Sequence, residues 1–347
     1  MRTTRGLGLA IATALLLSAC GGLTGETTTT AGSEDTTAPG GGALTGSVVV
    51  SGSSTVEPIT ARVGQAFSAA NPGVGVTVEG PGTGDGFKRF CAGETDISDA
   101  SRPIKQEEAD TCAAAGIDYV ELKVAYDGLS VITSRDNAAF TCLDFGDLYA
   151  LLGPESEGFT TWAAANDLAA ELSGAGLGGS QAPYPDAPLV ITAPGEESGT
   201  YDSFLEFVIA DIAEARGTEE ALRADYQASP NDNVIVENIS GNTTSLGFVG
   251  YAFADENKSV VKSLEVDGGA GCVAATPETI SDGSYPISRP LFIYVSKNKM
   301  AANSGLVAFV DYYLSDEGIQ NVSAADYIPL PSDELEATRS AWQGARG

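Results

Sequence analysis

The sequence predicts an α/β protein of two lobes joined by crossing strands, and three observations carry that expectation. β-branched runs alternate with helical periods along the chain, the pattern of mainly parallel sheets flanked by helices. Two long strand-like passages, IDYVELKVAYDGLSVITS (117–134) and SRPLFIYVS (288–296), bracket a block with strand, loop and helix units of its own. The length of 347 residues is enough for two domains of ordinary size. The crossings are expected near residues 126 and 290, so 47–126 with 291–347 form the first lobe and 127–290 the second.

The elements follow in order. Arg2 and Arg5 precede an apolar stretch, Leu7 to Leu17, that is too short to span a membrane comfortably. It ends in Leu17-Ser18-Ala19-Cys20, which resembles a bacterial lipobox. The resemblance implies that residues 1–19 are a signal peptide, that Cys20 carries the lipid (palmitate), and that the protein is extracytoplasmic and membrane-anchored by that lipid alone. Residues 20–46 are rich in Thr, Gly, Ser and Ala without apolar period, which reads as a flexible tether.

SVVVSG (47–52) reads as a buried strand. Behind it Ile59, Val63, Ala66 and Phe67 recur at helical spacing, with Ser54 and Glu57 placed as a capping box and Pro58 in the first turn. VGVTVEG (74–80) alternates as a strand, GPGTGDGFKRF opens a short helix through a glycine-rich turn, and TDISDASRPI reads as strand then loop. In the inserted block, Phe204, Phe207, Val208 and Ile212 give a helical period after ESGT.

Charge and composition exclude several functions. A net charge of −29 argues against nucleic acid and anionic lipid surfaces as partners. The absence of histidine removes His-based metal sites, His general bases and Ser-His-Asp triads. With Cys20 assigned to lipid, Cys91, Cys112, Cys142 and Cys272 remain, an even number that favours two disulfides in an exported chain. Three pairings exist. Cys91–Cys112, closing a short loop, and Cys142–Cys272, tying distant parts of one domain, are the expected ones. No metal site or cofactor is expected.

The chemistry lies in three hydroxyl-glycine turns, GSSTVEP, GPGTGDGF and ESGTYDSF, each just ahead of a helical run. A helix start leaves backbone N–H groups unpaired and carries partial positive charge, and glycine lets an anion approach the backbone. Ser or Thr at such a position is ordinarily only a cap. Three of them, with an Arg loop at SRPI, point instead to a small tetrahedral anion.

These residues also carry a resemblance. GSSTVEPI (52–59), GTGDGFKRFCAGETDISDASRPI (82–104), AYDGLSVI (125–132), SGTYDSF (198–204), LGFVGYAF (246–253) and YPISRPLFIYV (285–295) are similar to the phosphate-binding lipoproteins of bacterial ABC importers, the PstS family. The resemblance implies a two-lobed periplasmic-binding-protein fold of type II-like form. It implies a monomer that closes on inorganic phosphate and delivers it to ABC permease subunits. By position it implies donors at Ser54 and Thr55, at Thr83, and at Ser198, Gly199 and Thr200. Two departures stand out. Pro194 occupies the place of an arginine four residues before the Ser-Gly-Thr serine. Ser101 replaces an aspartate that accepts the phosphate proton, and Arg102 beside it is the expected source of positive charge. Asp85, Asp99 and Asp127 are the alternative proton acceptors.

Other readings remain open at this level. The same fold serves other oxyanions, such as sulfate, molybdate or tungstate, and surface adhesins or signalling lipoproteins. An enzyme, with Ser198 as nucleophile and Lys88 or Lys105 as base, is disfavoured because Ser198 lacks the G-x-S-x-G context.

Overall fold

The computed structural model describes residues 44–346, so the leader, Cys20 and nearly all of the tether lie outside the described residues. The chain begins with β1 (Gly46–Gly52), α1 (Glu57–Ala70), β2 (Val74–Glu79), α2 (Thr83–Cys91), β3 (Ile97–Ala100), α3 (Gln106–Ala114) and β4 (Tyr119–Ser134). All but α3 are elements the periodicities predict. β1 lies between β2 and β3 and runs parallel to both.

The expected capping box on α1 does not form. The residue preceding the helix is Val56, and no side chain caps it. Ser53, not Ser54, turns the chain. Its carbonyl accepts from the N–H groups of Val56 and Glu57, and its hydroxyl accepts from that of Thr55. The Ser54 hydroxyl is thereby not committed to capping.

β4 is 16 residues long. At roughly 3.3 Å per residue it spans about 50 Å, enough to serve two cores. It pairs antiparallel with the return strand Ser288–Ser296 along that strand's whole length, with an irregularity at Leu291/Phe292. On its other side the return strand pairs with β3. β4 also pairs with Ser245–Gly250, which runs parallel to Val190–Ala193. One ten-stranded sheet therefore runs through the molecule, parallel towards its ends and antiparallel at the crossing.

Two main cores form on this sheet. The first gathers Val48, Val50, Ile59, Val63, Phe67, Ile293, Phe309 and Trp342. The second gathers Leu151, Trp162, Phe204, Phe248 and Tyr285. β4 changes allegiance between Ala125, in the first, and Tyr126, in the second. The C-terminal helices return to the first core, where the Phe309 ring meets Phe67 edge-on at 5.5 Å. Ile328 and Leu330 cross back into the second core, and Ile328–Pro329 pairs with β4 at Tyr126 and Ala125.

Both expected disulfides are present. Cys91–Cys112 joins the end of α2 to α3. Cys142–Cys272 joins the outer strands of a small sheet made of Cys142–Asp144, Glu265–Asp267 and Cys272–Val273.

One acid is buried in the first core with little compensation. Asp99 on β3 is fully buried, and neither carboxyl oxygen has a hydrogen-bond partner. Burial pushes its pKa up to about 8, against a smaller lowering by Thr60. A carboxyl that is neutral in the fold and ionised in the unfolded chain takes up a proton on folding. Its contribution is full below the usual carboxylate pKa and is lost as pH rises towards 8. Asp99→Asn is therefore expected to stabilise the protein at pH 7–8 and leave it nearly unchanged near pH 4. The wild type should lose about 1 kcal/mol per pH unit between those limits relative to the variant. Urea melts across pH 4–8 measure this, and parallel pH profiles for both proteins would contradict it.

Candidate functional site

A cavity of about 570 Å³ opens above the crossing strands. Pro58 of α1, Asp127 and Leu129 of β4, Ser198 and Thr200 of the inserted block, and Asp326 and Tyr327 near the C-terminus contribute to its lining.

The second-lobe wall is a continuous helical run. Gly199–Phe204 is α-helical, Leu205–Ile209 is a π turn, and Ala210–Arg216 resumes the α-helix. Ser198 caps the run, its Oγ accepting from the Thr200 N–H at 3.2 Å. The π turn alters the helical register. Phe204, Val208 and Ile212 are buried as the period predicts, but Phe207 is only partly buried at the edge of that core and lies against Arg289.

The first-lobe wall is made of two adjoining turns. The Gly82 N–H donates to the Gly52 carbonyl at 2.8 Å, and a Cβ built on Gly80 would come within 3.0 Å of the Ser54 Cα. Close backbone packing thus favours glycine at position 80. Thr83 and Ser101 meet on the second turn, with their hydroxyls 3.1 Å apart and the Ser101 N–H donating to Thr83 Oγ1.

The two walls face each other at contact distance. A Cβ on Gly199 would sit 3.9 Å from the Ser54 carbonyl oxygen, 4.0 Å from the Thr55 Cα and 3.8 Å from the Tyr327 hydroxyl. Of the residues singled out from the sequence, Ser54, Thr55, Ser198, Gly199 and Thr200 are brought together here. Thr83 and Ser101 lie on the neighbouring turn.

Arg102 is committed elsewhere. Its guanidinium grips Glu108 of α3 through two bonds of 2.8 Å and lies over the Phe87 ring. The cation that reaches Thr55 is Arg289, on the return strand, which no motif in the sequence singles out. Strand register sets Arg289 directly opposite Asp127 on β4. Its Nη2 donates to Thr55 Oγ1 at 3.2 Å and to Ser203 Oγ at 3.1 Å. Nη1 donates to Glu206, and Nε lies 3.5 Å from Asp127 Oδ2. The Phe207 ring centroid is 4.7 Å from the guanidinium carbon. Arg289 is 9% exposed and Asp127 3%.

Burial raises the pKa of Asp127, opposed first by Arg289 and then by Ser203, whose hydroxyl donates to Oδ2 at 2.9 Å. Of the three acids named as acceptors, Asp85 is in an exposed pair with Lys88 and Asp99 is shut in the first core. Asp127 alone of the three lines the cavity. The rim is acidic as well. Asp232 is pushed up to about 6 by burial and then by Asp326. Asp202 is raised by burial, with the Ser54 hydroxyl opposing.

The site offers hydroxyls, helix-start N–H groups and one guanidinium, a donor set matched to a tetrahedral oxyanion. The hydrogen bond to Ser198 Oγ comes from a backbone N–H, and Lys88 is on the surface with Asp85.

Comparison with known proteins gives a consistent set of matches. A model described as a PBP superfamily domain matches residues 28–317. Protein SphX of Synechocystis is 37% identical over 289 residues, covering 83% of this chain and 79% of that protein. The phosphate-binding protein PstS of Staphylococcus saprophyticus is 32% identical over 335 residues, covering 95% and 91%. The crystal structure of a possible phosphate binding protein from Planctomyces limnophilus superposes with a TM-score of 0.76 at 34% identity, covering 88% of this chain and all of that one.

Removing the Arg289 charge should strand Asp127 in the interior. Arg289→Met is expected to lower unfolding stability by about 3–5 kcal/mol, and Asp127→Asn added to it should recover most of that loss. Urea denaturation at pH 7 reads both. A double variant as unstable as the single would show that the two groups do not interact.

Proposed function

The chain belongs to the PBP superfamily and, within it, to the family of the PstS and SphX proteins, and from that premise we propose that it captures inorganic phosphate and delivers it to an ABC importer. The observation that carries this is the meeting of the Ser54–Thr55 and Ser198–Thr200 turns, with Arg289 reaching Thr55 between them.

Capture works by donor count and exclusion of water. The hydroxyls of Thr55, Ser198 and Thr200, the N–H groups at the start of the second-lobe helix, and Arg289 surround the anion, with Ser54 beside them. Thr83 and Ser101 close the first-lobe side. Hydrogen bonds to a charged group contribute roughly 1.5–3 kcal/mol each. Six to eight of them reach the ~8 kcal/mol of micromolar binding after desolvation and ordering costs. The lobes, divided near residues 126 and 290, turn about β4 and the return strand. Phosphate favours the closed arrangement because only there do both walls reach it. No catalytic step is assigned.

Asp127 is the acceptor for the phosphate proton, in the role that Ser101 cannot fill with charge. A buried carboxylate repels a fully deprotonated oxyanion and welcomes one that still carries a proton. The wider assignment is a monomeric solute-binding lipoprotein, anchored outside the cytoplasm through Cys20 and docking on permease subunits when closed.

Isothermal titration tests the reading. The protein should bind phosphate at micromolar Kd or tighter and ignore equimolar sulfate. Thr200→Ala should weaken phosphate binding by about tenfold or more. Preference for sulfate or molybdate would transfer the assignment to that anion, and no oxyanion binding would end it. Separately, Asp127→Asn should bind sulfate measurably while still binding phosphate. A variant as selective as the wild type would remove Asp127 from the proton-accepting role.

A further inference from the structure

The partners of Arg289 differ in how firmly they are held. Thr55, Ser203 and Asp127 are buried. Glu206 is not: its side chain is 56% exposed, against 9% for Arg289. Glu206 comes from the π turn, and with Ser203 of the α-helical segment before it and Phe207 it presents one face to the guanidinium at i, i+3 and i+4 spacing. Among the described residues, Arg289 is the hydrogen-bond partner of its carboxylate.

The local charge balance is uneven. One guanidinium faces two carboxylates, Asp127 and Glu206. An oxyanion arriving beside Thr55 adds further negative charge to the same cation. Asp127 cannot leave, since it is buried on β4 in register with Arg289. Glu206 can turn into water, where a carboxylate is solvated at little cost. The Nη1 edge it vacates is then free for a ligand oxygen.

We propose that Glu206 is a built-in competitor of the bound anion: it occupies the Nη1 edge of Arg289, is displaced when the oxyanion binds, and thereby weakens retention and speeds release. This rests on the phosphate reading above. The field of Glu206 also reaches Asp202, whose pKa it raises after burial has done so, and Arg102, whose principal partner is Glu108. Its charge therefore acts on both walls.

The test is titration of phosphate into the full-length protein, wild type against Glu206→Gln, which keeps the shape and removes the charge. The variant should bind about tenfold more tightly, chiefly through slower dissociation, and the gain should shrink at high salt. Glu206→Ala should show the same gain, which guards against a peculiarity of the amide. In an Arg289→Lys background the Gln substitution should change affinity less than in the wild type. Unchanged or weaker binding in both Glu206 variants, with the wild type binding phosphate, would overturn this inference alone and make Glu206 a residue that positions Arg289. A wild type that binds no oxyanion would overturn the inference together with the reading beneath it.

Discussion

A single buried guanidinium organises this molecule. Arg289 stands in an otherwise apolar strand at the crossing, where an unpaired charge would cost several kcal/mol. It is tolerated because register places Asp127 opposite it and because partners arrive from three separate places. The first-lobe turn brings Thr55, the second-lobe helix brings Ser203 and Glu206, and β4 brings Asp127. Satisfying one cation thus fixes the hinge strands, both helix starts and the distance between them.

The proposed function asks a chain of net charge −29 to hold an anion, and the arrangement explains how. Exposed charges more than about 8 Å away are largely screened at physiological salt, so the bulk acidity sets solubility and not the local field. Within the cleft the field comes from fixed donors. The acidic rim at Asp232 and Asp326 works the other way, and burial and Asp326 together raise the pKa of Asp232 to about 6. A site of this kind depends on closure, because only a closed cleft gives the donors full strength in the absence of water.

Much of this was legible in the sequence. Alternating periods gave the α/β class, and the two long passages gave the crossing strands. Cysteine parity and spacing gave both disulfides. The hydroxyl-glycine turns gave five residues that meet in the cleft. Other features were hidden for definable reasons. A capping box at Ser54 was a fair reading of spacing, but Ser53 made the turn first. A regular helical period places Phe207 fully inside the core and cannot foresee the π turn that leaves it half-buried at the core's edge. Arg102 draws the eye because it sits next to a motif position, whereas its partner Glu108 lies in the first turn of α3. The signal for Arg289 was present nevertheless. An arginine followed by proline in a strand of Leu, Phe, Ile, Tyr and Val has to find a buried partner, and the strand it crosses carries two acids, Glu121 and Asp127.

The most direct test of this account is the crystal structure of the protein with phosphate bound. The account predicts phosphate oxygens within hydrogen-bond distance of Thr55, Thr200 and the Arg289 guanidinium, with Glu206 turned to solvent and Arg102 still on Glu108. Phosphate bound by Arg102, with Arg289 and Glu206 still paired, would contradict it.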